Sequence, residues 1–172
     1  MLRLAGCLIV IAGSCGLAFG IVGERREYLE RCRTWRELFL LIENEIGFQK
    51  SSLPEICGRA GMHLPGNKGK FLERIGEGLA GESGSTLGEI WRREAEKIFA
   101  EEPLKKELEK EVLGLGERLC FEDSDMQRKI LQDIEKYLRK HEEEQESLNR
   151  ERNKLTLCAG VMGGLLLAIL LI

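Results

Sequence analysis

Histidine occurs only twice in the 172 residues, and none of the six cysteines forms a C-x-x-C pair. The ligand spacing of a zinc site is therefore missing. Cys7, Cys15 and Cys158 fall in apolar stretches, and Cys32, Cys57 and Cys120 fall in a polar region assigned below to a reducing compartment. All six are expected to act as small packing residues. Basic residues do not exceed acidic ones: Lys and Arg total 26, Asp and Glu 29, for a net charge of −3. Nucleic acid would call for a basic face, which this balance does not supply.

Three short motifs look like ligand sites and lack a necessary part. Gly76-Glu77-Gly78-Leu79-Ala80-Gly81 matches G-x-G-x-x-G, but a dinucleotide site needs a buried strand just before it, and residues 71–79 do not alternate like a strand. The segment 61–68 approaches a phosphate loop, yet Asn67 stands where lysine is required and no hydroxyl follows Lys68. Asp123-x-Asp125 opens like a calcium loop, with Arg128 where glycine is needed and Ile134 where glutamate is needed. No nucleophile, base and orienting group fall into a recognisable pattern. His63 and His141 read as solvated or packing residues, so no catalytic, cofactor or metal residue is assigned and the chain is read as a non-enzyme.

Charge is absent from two stretches, residues 4–22 and 155–172. Each is about the ~20 residues a helix needs to cross a ~30 Å hydrocarbon core. Both are expected to be transmembrane helices, because a backbone entering lipid must satisfy its own hydrogen bonds. Arg25, Arg26, Arg31, Arg33 and Arg36 follow the first stretch, and Arg150, Arg152 and Lys154 precede the second. The positive-inside bias therefore places residues 24–154 in the cytoplasm and both termini outside. The same arginines oppose export, which favours an uncleaved anchor over a signal peptide. Gly16-xxx-Gly20 and Gly160-xxx-Gly164 are small-xxx-small motifs that let membrane helices pack closely, within one chain or between copies of it.

The roughly 130 residues between the spans suffice for one modest domain. Less Arg3, it holds 25 basic against 29 acidic residues. Trp35, Leu38, Phe39, Ile42 and Ile46 step at helical spacing, continuing the first span to about Gly47. Ser52-Leu53-Pro54-Glu55 is a helix start with a capping box and proline in the first turn, for a short helix ending at Gly61. His63-Leu64-Pro65-Gly66-Asn67 reads as a turn-rich connector within a linker over 61–70. Phe71, Leu72, Ile75 and Leu79 mark the next helix, ended by Gly81-Glu82-Ser83-Gly84.

Thr86 and Glu89 repeat the capping box, 34 residues after Ser52. That is a tetratricopeptide period, but the rest of that pattern is missing, and two helices needing one start signal explain it as well. Leu87, Ile90, Trp91, Ala95 and Ile98 then form a stripe interrupted by Glu94. Beyond Pro103, Leu104, Leu108, Val112, Leu115 and Leu119 give the clearest amphipathic helix. Phe121-Glu122-Asp123-Ser124 breaks it, and Ile130, Ile134, Tyr137, His141, Leu148, Arg152 and Leu155 carry a last helix of about 45 residues into the second span. The fold class is all-α, about six helices with the first and last continuous with the membrane.

Layout and residues together, Leu41-Ile42-Glu43-Asn44-Glu45-Ile46, Ser52-Leu53-Pro54-Glu55, the glycine-rich turn before Thr86-Leu87-Gly88-Glu89, and residues 163–171, resemble the stage III sporulation protein AB family. That family is similar to the cytoplasmic domains of type II secretion inner-membrane platform proteins. The resemblance implies a non-enzymatic platform in the mother-cell membrane around the forespore, within a sporulation channel and engaged by a cytoplasmic secretion-type ATPase. It transfers no catalytic residue. Charged surfaces on stiff helices, Arg92-Arg93 and Glu142-Glu143-Glu144, are the expected partner contacts. A regulatory or scaffolding membrane protein that binds a soluble signalling partner is the alternative.

Overall fold

A computed structural model describes the backbone of residues 2–48, 52–81, 84–120 and 123–171, with the side chains of all but residues 2–5, 7, 8, 48, 170 and 171. The chain breakers Glu82, Ser83, Phe121 and Glu122, and the side chain of Cys7, lie outside these. The fold is all-α. Six helices follow in order, with no strand among the described residues: α1 (Leu2–Phe48), α2 (Leu53–His63), α3 (Asn67–Ala80), α4 (Leu87–Glu101), α5 (Lys106–Cys120) and α6 (Ser124–Leu171). Two compact units result. One holds residues 1–30 and 142–172, the other residues 31–141, so α1 and α6 each contribute to both.

The start signals act as the sequence specifies. Thr86 Oγ1 accepts from the Glu89 N–H at 3.3 Å while the Glu89 carboxylate accepts from the Thr86 N–H at 2.9 Å. In α2 the Glu55 carboxylate accepts from the Ser52 N–H at 3.4 Å. For α6 the cap is Asp123, whose carboxylate accepts from the Met126 N–H at 2.9 Å. These bonds satisfy amides that a helix N-terminus leaves without intrahelical partners.

Two boundaries differ from expectation. The α2 helix runs two residues beyond Gly61, and α3 begins at Asn67, so the linker expected over 61–70 shrinks to the middle of the 63–67 turn, Leu64, Pro65 and Gly66. Gly66 takes φ +76°, which lets the chain reverse so sharply. Lys68 is then buried and bonded to Glu102, while the Asn67 amide donates to Glu101 and Glu102 at 3.2 Å. Polar residues at 67–70 gave no apolar period, yet they tie the start of α3 to the end of α4.

The core of the 31–141 unit is an aromatic cluster from three helices and their neighbours. Trp35 and Phe39 of α1 meet Phe71 of α3 and Trp91 and Phe99 of α4, with ring centroids 4.9–6.3 Å apart. Phe39 and Trp91 stack, and the other four contacts are tilted or edge-on, arrangements that add to burial because the ring edge is positive and the face negative. Leu108, Val112, Leu115 and Leu119 of α5 are buried, as their spacing predicts. In α6 the buried face is Ile130, Leu131, Ile134 and Leu138, whereas Tyr137 is 44% exposed. The apolar stripe of that helix is therefore rotated from the line through Tyr137 and His141.

Glycines set how closely the short helices pack. A Cβ on Gly61 would stand 2.9 Å from the Gly69 carbonyl oxygen, and one on Gly76 2.9 Å from the Pro54 carbonyl oxygen, so α2 and α3 meet backbone to backbone. A Cβ on Gly116 would stand 2.5 Å from Trp91 Cβ, and the Trp91 indole N–H donates to the Val112 carbonyl at 2.7 Å one turn away. The pairs α2–α3 and α4–α5 are thus two successive helical hairpins, each opened by a capping-box helix and closed by glycine. The G-x-G-x-x-G run is used up in this packing: Gly76 faces α2, Gly78 faces Ile90 at 3.2 Å, and the Gly81 N–H caps α3 on the Glu77 carbonyl at 3.0 Å.

Candidate functional site

In the unit of residues 1–30 and 142–172, the buried positions of the charge-free stretches hold small residues, and the large apolar residues stand outside. Ala18, Gly164 and Ala168 are buried, while Ile9, Leu17, Phe19, Leu155, Met162, Leu166 and Ile169 are 62–73% exposed. Water would penalise so much exposed apolar surface. Of the described residues, one helix, Ser124–Ile169, carries a window long and apolar enough to cross a membrane. The expected first span, residues 4–22, does not meet that criterion within the described residues, which omit the side chains of residues 2–5, 7 and 8.

The two charge-free stretches lie side by side in register. A Cβ on Gly160 would stand 2.7 Å from Ala18 Cβ and 3.2 Å from the Ser14 carbonyl, and a Cβ on Gly164 would overlap Ser14 Oγ. The Ser14 hydroxyl is satisfied within its own helix, donating to the Ile11 carbonyl at 3.0 Å. Where the charge-free stretches end, Arg25 Nη1 donates to Asn153 Oδ1 at 2.9 Å and Thr156 Oγ1 at 3.3 Å. Gly16 and Gly20 lie elsewhere on α1, and a Cβ on either would meet nothing within 4 Å. The structure therefore brings Gly160 and Gly164 against Ser14 and Ala18, not against Gly16 and Gly20. The serine and alanine, also spaced four apart, were the missed partners.

Exchange of Gly164 for leucine is expected to separate or slide these helices, since no rotamer fits beside Ser14. In a cysteine-free background, an Arg25→Cys/Asn153→Cys pair should be joined by a short bismaleimide crosslinker that spans the reach of the arginine side chain, and Gly164→Leu should lower the yield about tenfold. Gly16→Leu and Gly20→Leu should leave it unchanged. Equal yields from all four chains would contradict the assignment.

The charged surfaces are placed unevenly. Arg92 is half exposed and paired to Glu117 at 2.7 Å, beside a cleft of about 410 Å³ lined by Thr86, Gly88, Glu89 and Cys120. Arg93 bonds Glu94 at 3.3 Å. Glu143 and Glu144 are exposed, whereas Glu142 is 8% exposed and so does not stand on an open acidic face.

Glu94 is the buried group that sequence reasoning passed over, although a lone glutamate in an apolar stripe was its signal. Burial pushes its carboxyl up, but hydrogen bonds from Lys97 and Arg93 and the charges of Lys97 and Arg74 outweigh that and hold it below the ordinary glutamate range. Cys57 is the opposite case, a thiol pushed up to about 12 by burial alone and thus inert. No group of three or more His, Cys, Asp or Glu that could hold a metal ion occurs among the described residues.

Six helices with two glycine-closed hairpins define an all-α class of protein. A family model described as Stage III sporulation protein AB (spore_III_AB) matches residues 3–172, and the chain belongs to that family. A solved structure described as "Stage III sporulation protein AB (SpoIIIAB)" superposes with a TM-score of 0.63 at 18% identity, covering 72% of this chain and 97% of that one. At that identity the likeness is one of fold. Among curated protein sequences there is no match.

Proposed function

We propose that the chain is a non-catalytic, two-pass membrane platform of a sporulation channel or secretion-like complex. Residues 4–22 and 155–172 span the mother-cell membrane around the forespore, residues 24–154 form the cytoplasmic domain, and both termini lie outside. The observation that carries this reading is the helix pair with small residues inside, large apolar residues outside, and its polar clamp of Arg25, Asn153 and Thr156 where charge resumes. Lipid rewards that inversion and water does not. The arginines that follow residues 4–22 and precede residues 155–172 support the orientation. Other components of the sporulation complex are its partners by family membership.

A mechanical complex needs an energy source, and this chain offers no phosphate-binding loop. A cytoplasmic secretion-type ATPase is the proposed partner, with Arg92, Arg93, Glu143 and Glu144 among its contacts. Glu142 is excluded from the test because it is buried. Reversing the charge of Glu143 and Glu144 together in the full chain should weaken copurification of that ATPase about tenfold at low ionic strength. The difference should narrow as salt is raised, because exposed charges are screened. Cells carrying the variant should hold it in the membrane and fail to complete spores. An ATPase that never copurifies at any salt would remove the platform reading in favour of a regulatory membrane protein.

A further inference from the structure

Glu94 sits among Trp91, Ala95 and Ile98 on the buried face of α4. A carboxylate taken out of water must recover its hydration from charges and hydrogen bonds. Three cations supply them: Lys97 Nζ at 2.7 Å and Arg93 Nε at 3.3 Å from α4, and Arg74 Nη1 at 3.4 Å from α3. One negative charge thus anchors three positive ones. The Glu94 side chain keeps 6% of its accessibility, whereas those of Arg74, Arg93 and Lys97 keep 56%, 59% and 54%. The surplus positive charge therefore faces solvent. Lys70, one turn before Arg74, makes no ion pair among the described residues and adds to it. Lys70, Arg74 and Lys97 line a groove of about 130 Å³ between α3 and α4, with Phe71 and Ile98 as its apolar lining.

We propose that this groove docks an acidic segment of a soluble partner, seating one or two Asp or Glu side chains among Lys70, Arg74 and Lys97. The proposal rests on the platform reading, which supplies such a partner. Glu94 holds the receiving cations in place beforehand, so less side-chain freedom is lost on docking. The groove is smaller than the ~300–1,000 Å³ of small-molecule pockets. Glu101, one turn beyond Lys97, also lines it, and Glu77 lies one turn beyond Arg74, both exposed. A lipid surface or nucleic acid presents continuous negative charge that these two glutamates would repel. A peptide places its few charges at points.

The test uses the full-length chain in phosphatidylcholine nanodiscs and a fluorescent peptide of about 12 residues with paired glutamates, beside its glutamine counterpart. Only the glutamate peptide should bind, more weakly as salt is raised, and Lys70→Glu and Lys97→Gln should each weaken it about fivefold or more. Lys70 takes no part in the Glu94 network, so Lys70→Glu probes the groove even where Lys97→Gln disturbs packing. Equal binding of the glutamine peptide, or no effect of Lys70→Glu, overturns the proposal. Displacement of the peptide by glycerol phosphate beyond that caused by sodium chloride at equal ionic strength also overturns it, since the groove would then accept a lipid headgroup. Peptide binding as described from a chain that never retains the ATPase leaves the groove standing and removes the platform reading alone.

Discussion

Leu115→Asp is expected to unfold the unit of residues 31–141. Leu115 is fully buried on α5 in line with Leu108, Val112 and Leu119, all at 0–1% exposure. Aspartate there loses the ~1.5–3 kcal/mol of a buried leucine and places a charge without a partner in the core. Together these amount to about 5 kcal/mol, against a total of about 5–15 kcal/mol for a domain of this kind. Tryptophan emission reads the outcome cleanly, because both tryptophans of the chain, Trp35 and Trp91, are buried in this unit. In detergent the emission of the variant should shift to that of exposed indole, while Lys110→Asp, on the exposed side of the same helix, should leave it in place. An unshifted emission from Leu115→Asp would mean that α5 does not pack as described.

Why α5 was legible and the start of α3 was not comes down to what each uses for stability. The α5 helix buries a strict apolar stripe, and a stripe is a pattern in sequence. Both capping boxes were legible for the same reason, being fixed spacings of fixed residue types. Residues 67–70 instead join the fold through Lys68 and Asn67, whose partners Glu101 and Glu102 lie at the end of another helix. Only tertiary structure brings those together. In α6 Ile130 and Ile134 were read correctly and Tyr137 was not, since Tyr137 satisfies helical spacing as well as Leu138 does, and only packing selects Leu138.

The candidate sites divide similarly. That the ends of the chain are apolar and small-residue-rich could be read directly, but which small residues meet depends on the register of two helices more than a hundred residues apart. Gly160 and Gly164 meet Ser14 and Ala18, a pairing no local motif encodes. Glu142 illustrates the reverse error. A run of three glutamates looks like one wetted face, yet successive helical residues point about 100° apart, so Glu142 can be buried while Glu143 is exposed. Glu94 was visible as an anomaly in its stripe; its three cations were not, because Arg74 comes from the preceding helix.

Gly69→Ala is expected to be nearly as damaging as Leu115→Asp, though it adds one methyl group. The ideal Cβ position at residue 69 overlaps the Leu64 carbonyl oxygen and lies 2.8 Å from the Gly61 carbonyl oxygen. Both obstacles are backbone, so neither can turn aside as a side chain would. Relief requires α3 to move off α2, which would disturb the Gly66 turn and draw Lys68 away from Glu102. Overpacking of this kind costs typically 1–3 kcal/mol and more where backbone must shift, so a loss of at least about 3 kcal/mol is expected. Gly114→Ala supplies the contrast. That glycine lies in the interior of α5 with nothing within 4 Å of its Cβ position. Alanine there should stabilise the unit by about 0.5–1 kcal/mol through helix propensity alone. Denaturant titration followed by tryptophan emission would therefore move the midpoint down for Gly69→Ala and slightly up for Gly114→Ala. Two midpoints that fall together would show that the close approach of α2 and α3 does not govern stability, and the glycines would then need another explanation.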